Sequence, residues 1–188
     1  TAAAEMAGTR YGRDSQDDIR LRVVGDHVRS ALMLMTDGVT PGNEARGYVL
    51  RRLLRRSVRS MRLLGVGDPV LPELLPVSRD LMSASYPEIT EHWARVSQVA
   101  FGEEEAFRRT LTSGTQIFDL AVGRATTGVL SGSDAFTLHD TYGFPIDLTL
   151  EMAEEKPTKM FCDTLRELLD SERVTVCELG KEIHKPQN

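Results

Sequence analysis

The segment from residue 44 to residue 64 combines helical spacing of its apolar residues with a high density of arginine. Its apolar residues share one side of a helical wheel, namely Leu50, Leu53, Leu54, Val58, Met61 and Leu64. Six arginines fall on an arc of the other side, namely Arg51, Arg52, Arg55, Arg56, Arg59 and Arg62. The pattern predicts a helix that ends near Gly65, packs through one face and presents guanidinium groups on the other.

The charge of this segment is opposite to that of the chain around it. The 188 residues carry a net charge of -5, whereas residues 43–62 contain seven arginines and one acid, Glu44. A basic patch on an acidic chain favours an anionic partner, and the planar donor fork of arginine suits phosphate oxygens. The alternative is a face whose arginines pair with acids of neighbouring helices, for which 28 acidic residues are available.

Turn residues and apolar spacing predict further helices along the chain. The expected helices cover residues 17–37, 76–85, 88–123 with a break near Gly102, and 146–155. Asp37-Gly38 is the expected stop of the first of these, because glycine tolerates the left-handed conformation that closes a helix. These elements predict an all-α fold with at most a minor β element.

The sequence contains none of the familiar self-contained catalytic motifs. Phosphate-binding glycine loops, metal-binding histidine pairs and nucleophile elbows are all absent from it. Its four histidines lack ligand spacing, and Cys162 and Cys177 are too far apart for a CxxC pair. We therefore expect no catalytic site and no bound metal here. No run of 18 apolar residues occurs, so no membrane partner is expected either.

Two small polar residues stand in predicted turns, where they could contact nucleic acid bases. Asn43 offers a donor and an acceptor on one amide, and Asp140 offers two acceptors. Such groups can read base edges in the shallow minor groove of an A-form helix. Structural roles compete with this interpretation, because Asn43 follows Pro-Gly as a helix cap would and Asp140 could close an Asx turn.

Four blocks of sequence, in order, resemble bacterial alanyl-tRNA synthetases. The longest runs from Pro41 to Arg56 and reads PGNEARGYVLRRLLRR, similar to the family's PxNxxRGYVLRR segment. The others are DHVR at residues 26–29, GEEEAF at 102–107 and the stretch 136–149, which contains DTYGFPIDLT. The chain is identified on these blocks as a member of that family over about residues 1–154.

The resemblance implies a helical region that grips the acceptor stem of alanine tRNA, tRNA(Ala), and reads its G·U wobble pair. Asn43 and Asp140 match the residues that address the wobble from its two grooves. Candidates for phosphate or stem contacts are Arg46, Arg51, Arg52, Arg55 and Arg56. The parent would be a cytoplasmic, ATP-dependent alanine ligase that uses Mg²⁺, with zinc in an editing domain. The catalytic and editing domains of the same parent chain would then be partners of this region.

Residues 155–188 look unlike the expected continuation of the family, so they are set apart as an unassigned segment. The recognition region would then cover 1–154, with two helical subdomains of about 1–66 and 67–154. The first residues lack both a secretory signal and an initiator methionine, and this start suggests an excised fragment. Two alternatives remain: a helical protein-interaction module derived from a synthetase, and a fusion whose C-terminal segment has its own activity.

Overall fold

The structure is a computed structural model that describes residues 2–124 and the short pieces 129–130, 137–138, 149, 152 and 159–160. Its elements are α1 (Ala2–Met6), α2 (Ser15–Thr36), α3 (Ala45–Leu63), α4 (Leu71–Met82), α5 (Glu88–Glu91), α6 (Trp93–Arg124), β1 (Val129–Leu130) and β2 (Lys159–Met160). The chain forms two compact units, Thr1–Phe107 and Arg108–Asn188. The prediction of an all-α fold with a minor β element is confirmed for the described residues, and the domain boundaries near 66 and 154 stay predictions.

Helix α2 forms where apolar residues at helical spacing are flanked by residues that cap both ends of a helix. The side chain of Asp14 accepts hydrogen bonds from the backbone N–H groups of Gln16 and Asp17, which closes the first turn. The helix ends at Asp37, and Gly38 follows with φ of 89°. The apolar residues whose spacing predicted this helix are buried, namely Val24, Val28, Ala31, Leu32 and Met35. The predicted helix and its stop are therefore confirmed.

Helix α3 is the arginine-rich helix of the sequence, and it packs most extensively against α2. The side chains that it buries are Leu50, Leu54, Val58 and Met61, as the apolar spacing predicted. Gly65 follows the helix with φ of 94°, and the N–H of Val66 reaches back to the carbonyl of Met61 at 3.0 Å. This glycine-based closure satisfies carbonyls that the last turn would otherwise leave without partners.

Helix α4 begins at Leu71, so the predicted start of this helix at residue 76 was wrong. Pro76 lies inside the helix, where a missing N–H normally disfavours helix. Two tertiary contributions offset that cost. Leu71, Leu74 and Leu75 are buried, and the backbone N–H groups of Val70 and Leu71 donate to the carboxylate of Glu104 at 2.7 and 2.9 Å.

Helix α6 runs unbroken from Trp93 to Arg124, so the predicted break near Gly102 was wrong. A glycine inside a helix costs about 1 kcal/mol relative to alanine. Ala100 and Phe107 are fully buried on either side of Gly102, and burying one large apolar side chain contributes about 1.5–3 kcal/mol. The packing of this helix therefore outweighs the local preference of its glycine.

In the second unit, the described part of α6 buries Leu111 and Phe118, and Leu138 and Met152 are buried as well. The minor β element is a parallel pair in which Val129 lies opposite Lys159 and Leu130 opposite Met160. No helix in the described part of the chain has the length and apolar character needed to cross a membrane.

Candidate nucleic-acid interface

The loop between α2 and α3 is held against the first turn of α3 by a close backbone approach. The N–H of Gly42 donates to the carbonyl of Gly47 at 3.0 Å. A Cβ atom on Gly47 would lie 2.8 Å from the carbonyl oxygen of Thr40 and 3.0 Å from the nitrogen of Gly42. Only glycine fits at this position, and the loop that carries Asn43 is placed by it.

The first residue of α3 has a strained backbone. Ala45 adopts φ of 47°, and it is the one non-glycine residue with positive φ among the described residues. A side chain in this conformation costs about 1–2 kcal/mol. Such strain persists only where the surroundings fix it, and here it lies between the loop and the arginine-rich helix.

Asn43 is exposed in this loop, and its side chain is held by α3. The oxygen Oδ1 of Asn43 accepts a hydrogen bond from Nη1 of Arg51. Glu44 is the residue that precedes the helix as its N-cap, and it makes no side-chain cap bond. The helix-cap role considered for Asn43 is therefore not the one that the structure shows.

Arg51 and Arg55 share one carboxylate, that of Glu103 on α6. The distance to its oxygen Oε1 is 3.3 Å from Nε of Arg51 and 2.7 Å from Nε of Arg55. The Arg51 contact is an ion pair without hydrogen-bond alignment. The guanidinium of Arg55 also lies 5.1 Å from the ring centroid of Phe107. Two of the candidate arginines thus help to hold α3 against α6.

The remaining arginines of α3 differ in exposure. Arg46, Arg52 and Arg62 are exposed, Arg56 is half-buried, and Arg59 is buried. The predicted arc of guanidinium groups therefore has a solvent-facing part, Arg52 and Arg62, and a part that is at least half-buried within the protein. Pairing with an acid of a neighbouring helix is observed for Arg51 and Arg55, whereas phosphate binding by the exposed arginines stays a prediction.

His27 of α2 lies in the electrostatic field of this surface. Burial lowers the pKa of its imidazole, the charges of Arg56 and Arg52 lower it further, and the charge of Asp26 opposes them. The ring nitrogen Nδ1 is buried and has no hydrogen-bond partner among the residues that the structure describes. The imidazole is consequently held in its neutral form at pH 7, since its pKa lies below the usual 6.5.

The concave part of this surface is an open pocket of about 580 Å³, lined by the loop and by the first turn of α3. Its lining includes Asn43, Arg46 and the backbone of Gly42 and Gly47. Exposed guanidinium and amide groups around a polar depression suit a ligand with phosphate and sugar oxygens. In the described part of the chain, no three side chains among His, Cys, Asp and Glu are grouped as metal ligands would be.

The predicted site residues differ in where the structure places them. Asn43, Arg46 and Arg51 lie together at the loop, and Arg52, Arg55 and Arg56 extend from it along α3. Asp140 lies outside the described residues. The sequence analysis gave no site role to Glu103, which stands in the GEEEAF block just after the expected helix break near Gly102. No local signal identifies that residue, because it stands 48 positions from its partner Arg55.

Comparison of the sequence with known proteins identifies a family and several relatives. The sequence matches the family model of tRNA synthetases class II (A) over residues 1–183. The alanine–tRNA ligase of Cutibacterium acnes is 68% identical over 157 residues, which are 82% of this chain and 18% of that protein. The alanine–tRNA ligase of a Nocardioides species is 60% identical over 174 residues, 91% of this chain and 19% of that protein.

A third relative, the alanine–tRNA ligase of Kineococcus radiotolerans, is 65% identical over 156 residues, 81% of this chain and 18% of that protein. The chain thus spans about a fifth of the length of the curated relatives it matches. The family match also continues to residue 183. The expectation that the family resemblance ends near residue 154 was therefore wrong.

Proposed function

The chain belongs to the family of tRNA synthetases class II (A), and from that membership we propose that it binds the acceptor stem of alanine tRNA and reads its G·U wobble pair. The parent protein in this proposal is a cytoplasmic alanine–tRNA ligase that attaches alanine to tRNA with ATP and Mg²⁺. Its catalytic domain and its zinc-containing editing domain would lie in the same parent chain and act on the tRNA that this region holds.

The observation that carries the proposal is the placement of Asn43. The amide is exposed, it stands on a loop fixed by the Gly42–Gly47 contact, and the exposed Arg46 lines the same pocket. Arginines that contact phosphates fix the register of a duplex, and a polar side chain then reads the base edges. Arg46 and Arg52 suit the phosphate contacts, with Arg56 at the edge of the same surface.

Arg51 and Arg55 differ from the other arginines of the proposed interface because both are paired with Glu103. Glu103 neutralises part of their charge, so we expect them to contribute less to phosphate binding than the exposed arginines do. Each guanidinium has five donor N–H groups, and the groups not used by Glu103 remain able to donate to the stem. Asp140 completes the proposal as the reader of the opposite groove.

The chemistry of the wobble pair explains why such a surface would bind a stem with G·U more tightly than a stem with G·C. In a G·U pair the guanine amino group is not fully used in pairing, and the base positions differ from those of G·C. A site built for the wobble leaves a polar group without its partner on G·C, which costs about 1–3 kcal/mol. That cost corresponds to roughly tenfold to hundredfold weaker binding.

The test is the binding of this chain to a fluorescent acceptor-stem hairpin with G·U or with G·C at the wobble position. Fluorescence anisotropy at two salt concentrations gives both dissociation constants. We expect tighter binding to the wobble hairpin and weaker binding of both hairpins at higher salt, because phosphate contacts release counterions. Equal binding to the two hairpins would contradict wobble reading. Absence of salt-sensitive binding would favour the interaction-module alternative.

A further inference from the structure

Arg51 contacts two side chains that lie on different elements. Its Nη1 donates to Oδ1 of Asn43 on the loop, and its Nε lies 3.3 Å from Oε1 of Glu103 on α6. The side chain of Arg51 is 25% exposed and that of Glu103 is 9% exposed. A series of polar contacts therefore connects a nearly buried carboxylate with the exposed amide of Asn43.

The contact with Arg51 determines which edge of the Asn43 amide faces outward. A guanidinium has donors and no acceptor, so the amide atom that faces it must be the oxygen. The NH₂ group of Asn43 then points away from Arg51, so the amide meets a base edge as a donor, suited to a base oxygen or ring nitrogen and not to the guanine amino group. The terminal torsion of an exposed asparagine is otherwise broad, with both orientations of the amide accessible. Arg51 thus selects one orientation of the group that is proposed to read the wobble.

Glu103 holds Arg51 in the position from which it can make this contact. The same carboxylate oxygen also lies 2.7 Å from Nε of Arg55, one helical turn after Arg51. Without the carboxylate, two guanidinium groups would remain at i and i+4 on one helix and repel each other. Arg51 would then turn toward solvent or a phosphate group, and its bond to Asn43 would be lost.

From this geometry we infer that Glu103 and Arg51 are positioning residues, which set the orientation of the Asn43 amide and thereby the preference for the G·U wobble. The inference rests on the proposed function, since it assigns no separate ligand. Glu103 contacts no nucleotide in this scheme and acts only through Arg51. Its loss therefore lowers the preference between hairpins more than it lowers the affinity for a G·C hairpin.

The experiment measures the wobble preference, defined as the dissociation constant for the G·C hairpin divided by that for the G·U hairpin. The variants of the 188-residue chain are Glu103→Gln, Asn43→Ala and the double variant, with Asp17→Asn as control. Asp17 pairs with Arg20 at 3.0 Å away from this site, so the control makes the same acid-to-amide change in another ion pair. Circular dichroism establishes that each variant keeps its helix content.

We expect Glu103→Gln to reduce the preference by about the same factor as Asn43→Ala, roughly tenfold or more. The double variant should show no further reduction, because both changes remove the same oriented amide. Asp17→Asn should keep the preference of the original chain. A role in stability alone would instead leave the preference unchanged or make the two reductions multiply.

Arg51→Lys provides a second comparison if Glu103→Gln loses helix content. Lysine keeps the charge beside Glu103 but lacks the fork that reaches two partners, so the preference should fall in this variant as well. A folded Glu103→Gln or Arg51→Lys variant with the original preference would overturn the inference alone. An original chain without any wobble preference would overturn the proposed function and the inference with it.

Discussion

Replacing Gly47 with alanine tests the close approach that places the Asn43 loop. The added methyl carbon would lie 2.8 Å from the carbonyl oxygen of Thr40, whereas ordinary contact begins near 3.4 Å. The atoms that it meets belong to the backbone, so the loop itself must shift by roughly 0.6 Å. Overpacking of this kind costs about 1–3 kcal/mol, against a helix-propensity gain of about 1 kcal/mol from glycine to alanine.

The matched control is Gly25→Ala on α2. Gly25 also lies inside a helix, and a Cβ atom there would meet nothing within 4 Å. This variant should gain the helix propensity without a clash, so we expect Gly47→Ala to be less stable than Gly25→Ala by about 1–3 kcal/mol. Urea denaturation followed by circular dichroism and by fluorescence of the single Trp93 measures both free energies of unfolding. Equal stability of the two variants would refute the close approach.

Three further predictions concern the cap of α4, the buried imidazole and the exposed arginines. Glu104→Ala should lower the free energy of unfolding by about 2–4 kcal/mol in urea denaturation, since two buried N–H groups lose their acceptor, and the exposed Glu105→Ala should change it far less. Lowering the pH from 7.5 to 5.5 should destabilise the chain, because the unfolded His27 takes up a proton near its usual pKa of 6.5 while the folded one resists it. His27→Gln should remove that part of the pH dependence, and an unchanged dependence would contradict the lowered pKa. Arg52→Gln should reduce the slope of log affinity against log salt for the hairpin by about 1, whereas Arg22→Gln on α2 should leave the slope unchanged.

Helices α2 and α3 could be predicted from the sequence because their signals are local. Each has an apolar stripe at helical spacing and a glycine at its end, Gly38 and Gly65, in the positive-φ conformation that closes a helix. The cap residue of α2, Asp14, lies within the same few residues as the N–H groups it accepts from. Periodicity and cap chemistry therefore agree, and the expected bounds differ from the observed ones by only a few residues.

The start of α4 and the continuity of α6 could not be predicted, because tertiary contacts decide both. The acceptor for the first N–H groups of α4 is Glu104, which stands 34 positions after Val70 in the chain. Burial of Phe107 likewise stabilises α6 beyond Gly102. Local propensity disfavoured a helix that continues through Pro76 or Gly102, and tertiary packing, which the sequence does not display, outweighed that preference.

The site role of Asn43 and of the arginines of α3 stays a prediction, but the way in which these arginines are paired could not be predicted from the sequence. The motif around Asn43 identified the loop and the arginine-rich helix, and the structure places them together. The division of the arginines into exposed residues and residues held by Glu103 depends on a contact between positions 55 and 103. The residue pattern of α3 alone does not show which of its arginines contact a residue on another helix.

The most direct test of the central claim is the wobble preference of Asn43→Ala, measured with the G·U and G·C hairpins against the unaltered chain. If the oriented amide reads the wobble, affinity for the G·U hairpin should fall by roughly tenfold to hundredfold. Affinity for the G·C hairpin and its salt dependence should stay nearly constant, because the exposed arginines are untouched. A variant that keeps the full preference, or that loses affinity for both hairpins equally, would contradict the account.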